Sequence, residues 1–183
     1  MKRSELQNNL AMTVTLIMGS MLFLTLFMGY AVYRTSAQSW PPMGMPRVSL
    51  TLPLISTLFI LASSFFCWRT KKSVEIKNFS AARMNLNLTL LLGCGFMMAQ
   101  MFLWSHMRAS GVFVSSGIFA SVMYGFTWIH AAHMILGLAS LVYLSVVLKP
   151  TDARILQKSI NVEKFWHFLG VIWIIMFLTI FVL

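Results

Sequence analysis

His130 and His133, in Trp128-Ile129-His130-Ala131-Ala132-His133, are the residues of this chain best equipped for chemistry. Three residues apart, they occupy neighbouring parts of one helix face, and imidazole is a common haem and metal ligand. A six-coordinate haem takes ligands from opposite sides, so this pair alone cannot supply both. The other two histidines, His106 and His167, fall near opposite ends of their apolar stretches, which argues against a single shared site. Gln100 adds a buried amide that a neighbour must satisfy, and with a histidine it could hydrogen-bond a quinone. Glu163-Lys164-Phe165-Trp166-His167-Phe168 gathers a cation and two polar rings. Such a group suits a lipid phosphate, or serves simply to anchor a helix at the membrane interface.

What is missing narrows the chemistry further. No Asp, Glu, Lys or Arg lies near the middle of an apolar run, so a transporter or proton pump with its own carboxylate relay is disfavoured. Cys67 and Cys94 both fall inside apolar runs and read as packing residues rather than a disulfide or metal pair.

The elements that must position these residues are membrane helices. Of 183 residues, 58% are hydrophobic and only 10% charged, and the mean hydropathy is +0.80. A soluble domain of this size would need far more charge on its surface. Five stretches are long enough to cross a bilayer, at about 20 residues each: 10–33, 49–68, 86–107, 114–148 and 163–183. They lack the period-two alternation of a membrane β-barrel. Lys2 and Arg3 precede the first run as in a signal peptide, but the run is too long and Gln7, Asn8 and Asn9 intervene. A retained first span is expected. The expected fold is an all-α bundle of five transmembrane helices forming one domain over 1–183.

The net charge of +10 is a matter of membrane orientation, not nucleic-acid binding. Eleven basic residues lie on the side of the amino terminus: Lys2, Arg3, Arg69, Lys71, Lys72, Lys77, Arg83, Lys149, Arg154, Lys158 and Lys164. Three, Arg34, Arg47 and Arg108, lie on the other. The positive-inside rule then places the amino terminus in the cytoplasm and the carboxyl terminus outside. Trp40-Pro41-Pro42, with Gly44 and Pro46, makes a stiff outer connection. No loop could fold into a soluble catalytic domain. Gly117, Ser121 and Gly125 recur every four residues, and the stripe continues through Ile129, His133 and Gly137. Small residues at this spacing let another helix approach closely. That predicts a packing face inside the bundle or against a partner, with His133 hydrogen-bonding across helices. A bundle without a self-sufficient catalytic set points to a subunit of something larger.

Four segments, in order along nearly the whole chain, resemble subunit III of the haem–copper respiratory oxidases. Phe126 through Leu138 is similar to that family's G-x-H-x-x-H-x-x-x-G segment. Phe165-Trp166-His167-Phe168 with Val171-Ile172-Trp173 resembles its Y-W-H-F-x-D-x-x-W segment. Leu26 through Arg34, followed by Trp40-Pro41-Pro42, resembles the end of its first shared span. Gly93 through Trp104 is similar to its L-G-x-x-F-x-x-x-Q-x-x-E-W stretch. The five spans match the short bacterial form, which lacks the first two of seven.

The resemblance implies a non-catalytic subunit with no catalytic, cofactor or metal residues of its own. It also implies that haem and copper reside in partner subunits of a proton-translocating terminal oxidase that takes electrons from cytochrome c or quinol. The chain would bind and stabilise catalytic subunit I beside other oxidase subunits, support proton uptake, hold membrane phospholipids in a cleft, and join a larger respiratory supercomplex in the bacterial cytoplasmic membrane. Arg34, Gln100, His130, His133, Trp166 and His167 are then candidate lipid or interhelical contacts. Three positions depart from the family pattern. Gly19, Leu103 and Gly170 stand where the family carries carboxylates, so protonation roles assigned to those carboxylates do not transfer. Rival readings are an accessory protein of nitric oxide reductase, a small haem- or quinone-binding protein using His130 or His133, and an ion or solute channel.

Overall fold

The structure, a computed structural model, describes residues 3–37, 50–150, 152 and 154–182. The Trp40-Pro41-Pro42 connection and Arg47 lie outside them. The described residues form helices α1 (Arg3–Ser36), α2 (Thr51–Glu75), α3 (Phe79–Ala109), α4 (Ile118–Val147) and α5 (Ile155–Met176). A π-helical segment, Phe177–Val182, continues α5. No strand occurs among the described residues. Each helix is long and apolar enough to cross a membrane, and a helix suits lipid because it satisfies its backbone polar groups internally.

Four bounds differ most from the sequence expectation, for physical reasons. α2 continues to Glu75 and α3 already starts at Phe79, because charged side chains do not end a helix that is leaving the bilayer. Lys77 adopts φ 58° in the tight turn between them, and Asn78 caps α3 by accepting from the Ala81 amide at 3.1 Å. The fourth span begins at Ile118 rather than 114. Val114–Ser116 is a 3₁₀ turn, and Gly117 precedes the helix at φ 139°, a conformation open to glycine. The fifth helix begins at Ile155, eight residues before the expected start at 163.

Alternating helix directions bring one set of ends together. Gln157 donates to the Asn9 Oδ1 at 2.6 Å, Lys71 meets Glu163 at 3.4 Å, and Arg83 donates to the Leu148 carbonyl at 3.4 Å. This end therefore gathers most of the charged residues. At the other end, Tyr30 donates to the Thr179 carbonyl at 2.7 Å and Tyr124 to the Val112 carbonyl at 2.9 Å.

The core lies among α2, α3, α4 and α5, centred on Trp166 and Trp173, both fully buried. Trp166 fits because α3 and α4 each lack a side chain where it passes. A Cβ on Gly93 would stand 2.8 Å from Trp166 Cη2, and one on Gly137 3.1 Å from its Cε3. α1 is peripheral; Phe23 and Tyr30 are its buried residues.

Candidate functional site

The polar side chains at membrane depth divide into a hydrogen-bonded lattice, a caged histidine, a charged cluster and an open groove. In the lattice, the Trp166 indole N–H donates to Ser63 Oγ at 3.1 Å, and Ser63 donates on to the Thr89 carbonyl at 2.9 Å. The Trp173 indole donates to Thr57 Oγ1 at 3.0 Å, Trp104 to Thr127 Oγ1 at 3.1 Å, and Gln100 Nε2 to Ser56 Oγ at 2.9 Å. Each joins two helices. Such bonds contribute about 0.6 kcal/mol on average in a membrane bundle. Their effect here is register, since each fixes one turn of one helix against one turn of its neighbour.

Trp166 was expected at the membrane interface, beside Lys164 and His167. The structure moves it to the centre. With α5 starting at Ile155, Trp166 lies about three turns into the helix and is inaccessible to lipid. His167, on the next face, is partly exposed, with Nε2 3.8 Å from Glu163. The same shift draws Glu163 into the bundle, where it is buried. Lys71 lies 3.4 Å from Glu163 and 3.9 Å from Glu75, so the pair is held by opposite charge. This cluster escapes a reading of the linear sequence because its members are some 90 residues apart.

His130 is buried to 1% exposure. Its ring lies 6.1 Å from that of Phe23 in α1, 5.9 Å from Phe96 in α3 and 5.7 Å from Trp173 in α5. Neither ring nitrogen has a hydrogen-bond partner among the described residues, and nor has Gln100 Oε1. Among the described residues, His133 bonds within its own helix rather than across helices. Its Nδ1 lies 2.8 Å from the Ile129 carbonyl of its own helix, and its ring packs on Phe23 at 5.3 Å. Among the described residues no group of three His, Cys, Asp or Glu is placed to hold a metal ion. Cys67 is buried and Cys94 faces outward; both are free thiols.

Among the described residues, the Ser121–Gly125 part of the stripe has no close helix neighbour. A Cβ on Gly125 would meet nothing within 4 Å, and Ser121 is exposed. Ser121 and Gly125 instead line a groove of about 340 Å³ between α1 and α4, with Gly29, Tyr30, Phe126 and Ile129. The closest approaches occur at Gly93 and Gly137, with Gly19 against Phe168 and Gly95 against Phe59 somewhat looser. Arg34 donates to the Thr179 carbonyl at 3.4 Å, alongside Tyr30. In the connection between α4 and α5, Asp152 accepts from Lys158 of α5 through Oδ2 at 2.7 Å. That bond, and one from the Arg154 amide, hold the Asp152 carboxyl below the ordinary carboxylate range.

The family model described as cytochrome c oxidase subunit III matches residues 4–183. The chain belongs to the cytochrome c oxidase subunit III family. It is 34% identical over 165 residues to a probable cytochrome c oxidase subunit 3 of Nocardia farcinica, covering 88% of this chain and 80% of the relative. It is 30% identical over 180 residues to cytochrome c oxidase subunit 3 of Thermostichus vulcanus, covering 95% and 86%. The corresponding Synechocystis protein is 28% identical over 173 residues, covering 92% and 72%. The chain is thus a multi-pass subunit III of a haem–copper oxidase, part of a complex with other oxidase subunits. The family match favours this over the nitric oxide reductase accessory reading.

Proposed function

We propose that this subunit acts as a non-catalytic scaffold, packed against the catalytic subunit that carries haem and copper. It would lie in the bacterial cytoplasmic membrane with its charged end toward the cytoplasm. There it would stabilise the catalytic subunit, support proton uptake in O₂ reduction and retain phospholipid. The observation that carries this reading is how the polar groups are used: Trp166, Trp173, Trp104 and Gln100 each bond a neighbouring helix. His130, the leading ligand candidate, is walled by rings of three other helices. A side chain committed to holding helices in register is not free to bind a redox group.

Mild-detergent purification of the tagged chain from its native membrane tests the proposal. A large haem–copper subunit should accompany it in stoichiometric yield. Dissociating the chain should leave it colourless, and His130→Ala should not alter the haem spectrum of the complex. A Soret band that stays with the isolated chain, and is lost on changing His130 or His133, would overturn the scaffold assignment.

A further inference from the structure

The last turns of α2 sort their cations onto two faces. Lys71 turns inward to Glu163 and Glu75. Arg69 and Lys72 turn outward and are exposed, and neither has a carboxylate within 4.0 Å among the described residues. Each instead lies over an exposed ring one turn earlier. The Arg69 guanidinium is 5.8 Å from the Phe65 centroid, and the Lys72 ammonium 4.9 Å from that of Trp68. The two rings are themselves 6.0 Å apart. Phe65 and Trp68 are 50% and 40% exposed, so this is one continuous patch on the outer surface of the bundle.

A cation held over an aromatic face keeps most of its charge available, because the ring supplies only a quadrupole. Its ammonium or guanidinium is also kept at the level of the ring, and tryptophan in a span sits at headgroup depth. Two such cations three residues apart stand on adjacent turns of one helix face, a separation one phosphodiester can bridge. Guanidinium and ammonium are both phosphate-binding groups. We propose that Phe65, Trp68, Arg69 and Lys72 form a site for the phosphate of an anionic phospholipid, its acyl chains lying along Leu61 and Leu58 on the exposed face of α2. The site is separate from the α1–α4 groove. It rests on the helices' crossing a bilayer and not on which subunits accompany them.

Phosphatidylglycerol binding to the full-length chain, purified with its partner subunits and stripped of native lipid, tests this by native mass spectrometry. Each basic residue near an anionic surface is worth about fivefold in binding, so Arg69→Gln with Lys72→Gln should weaken binding about 30-fold. Trp68→Leu, which keeps the charges but removes the platform, should weaken it about two- to fivefold. Lys77→Gln with Lys149→Gln removes two cations from the same end of the bundle and should leave the high-affinity site intact. Phosphatidylcholine should not compete, and millimolar inorganic phosphate should compete only weakly. Equal weakening in the Lys77/Lys149 variant would reduce the effect to general surface charge and overturn the site. Full competition by inorganic phosphate would overturn the lipid assignment. If the lipid result holds while no haem–copper subunit co-purifies, the scaffold reading fails and the site stands.

Discussion

Gly93→Ala is the smallest change that should damage the core. The new Cβ would lie 2.8 and 3.0 Å from two ring carbons of Trp166 and 2.9 Å from Leu138 Cδ2. Leu138 can swing a methyl away; Trp166 cannot. Its ring is fully buried, and its N–H is held by a Ser63 hydroxyl that is itself bonded to α3. It also has Gly137 against its other ring edge. Overpacking of this kind costs about 1–3 kcal/mol, offset by about 1 kcal/mol from alanine's better helix propensity. The net loss should be about 0–2 kcal/mol against the parent protein and about 1–3 kcal/mol against an unobstructed Gly→Ala change, with similar values for Gly137→Ala. Unfolding of the purified chain in mixed micelles, followed by helical circular dichroism, would measure it. Gly29→Ala and Gly125→Ala are the controls, since a Cβ at either meets nothing within 4 Å, and neither should lose stability. Combining Gly93→Ala with Trp166→Phe, which deletes the offending ring atoms, should cost at least about 1 kcal/mol less than the sum of the two single changes. Additive losses, or a Gly93→Ala protein as stable as the controls, would refute the packing assigned to Trp166.

Other outcomes follow from the same contacts. His130→Phe keeps the ring contacts and removes two unbonded nitrogens, so stability should be unchanged or rise by about 1 kcal/mol, whereas His130→Ala should lose about 3 kcal/mol through the cavity. A strong loss on His130→Phe would mean that the nitrogens are bonded in the assembled protein. Ser56→Ala strands the Gln100 amide and should cost about 1–2 kcal/mol in thermal unfolding, while Gln100→Leu should cost less because it removes the unbonded Oε1 as well. The Asp152 carboxyl is held below its ordinary pKa, so the Lys158 contact stabilises the α4–α5 connection above the ordinary carboxylate value and is lost as pH falls through the lowered one. The protection factors of the Arg154 and Ile155 amides, taken relative to intrinsic exchange at each pH, should fall in acid, and Asp152→Asn should abolish that pH dependence.

Hydropathy alone located the five helices, because a chain in lipid has few ways to satisfy its backbone. Charge placement likewise anticipated that Lys71, Arg83, Lys149 and Lys164 share one end. What escaped was rotation and depth. Trp166 reads as an interfacial anchor from its neighbours Lys164 and His167, yet the helix starts eight residues earlier than apolar length implies, a shift of about 12 Å. Polar residues such as Gln157 and Asn161 are tolerated in those roughly two added turns because Gln157 bonds both α1 and Asn161. The glycine stripe, read as packing inside the bundle or against a partner, is closely covered at Gly137 and open within the chain at Gly125. Spacing says which residues share a face, but only a neighbour's bulk decides which face is covered, and here the bulk is Trp166 against Gly93 and Gly137. The carboxylate cluster and the cage of His130 depend on residues far apart in sequence and had no local signature.

The attachment of α1 bears on how the protein is made. Its fastenings, Asn9 to Gln157 and Tyr30 to Thr179, span 148 and 149 positions in the chain. Of the five helices, α1 leaves the ribosome first, while the residues that hold it at either end leave last. During synthesis Phe23 and Tyr30 first meet rings of α4, but the two end fastenings of α1 cannot close until α5 has inserted. The earliest of these five helices is thus fastened at its ends only by the latest, and that interval is when an insertase or an assembly factor would have access to it.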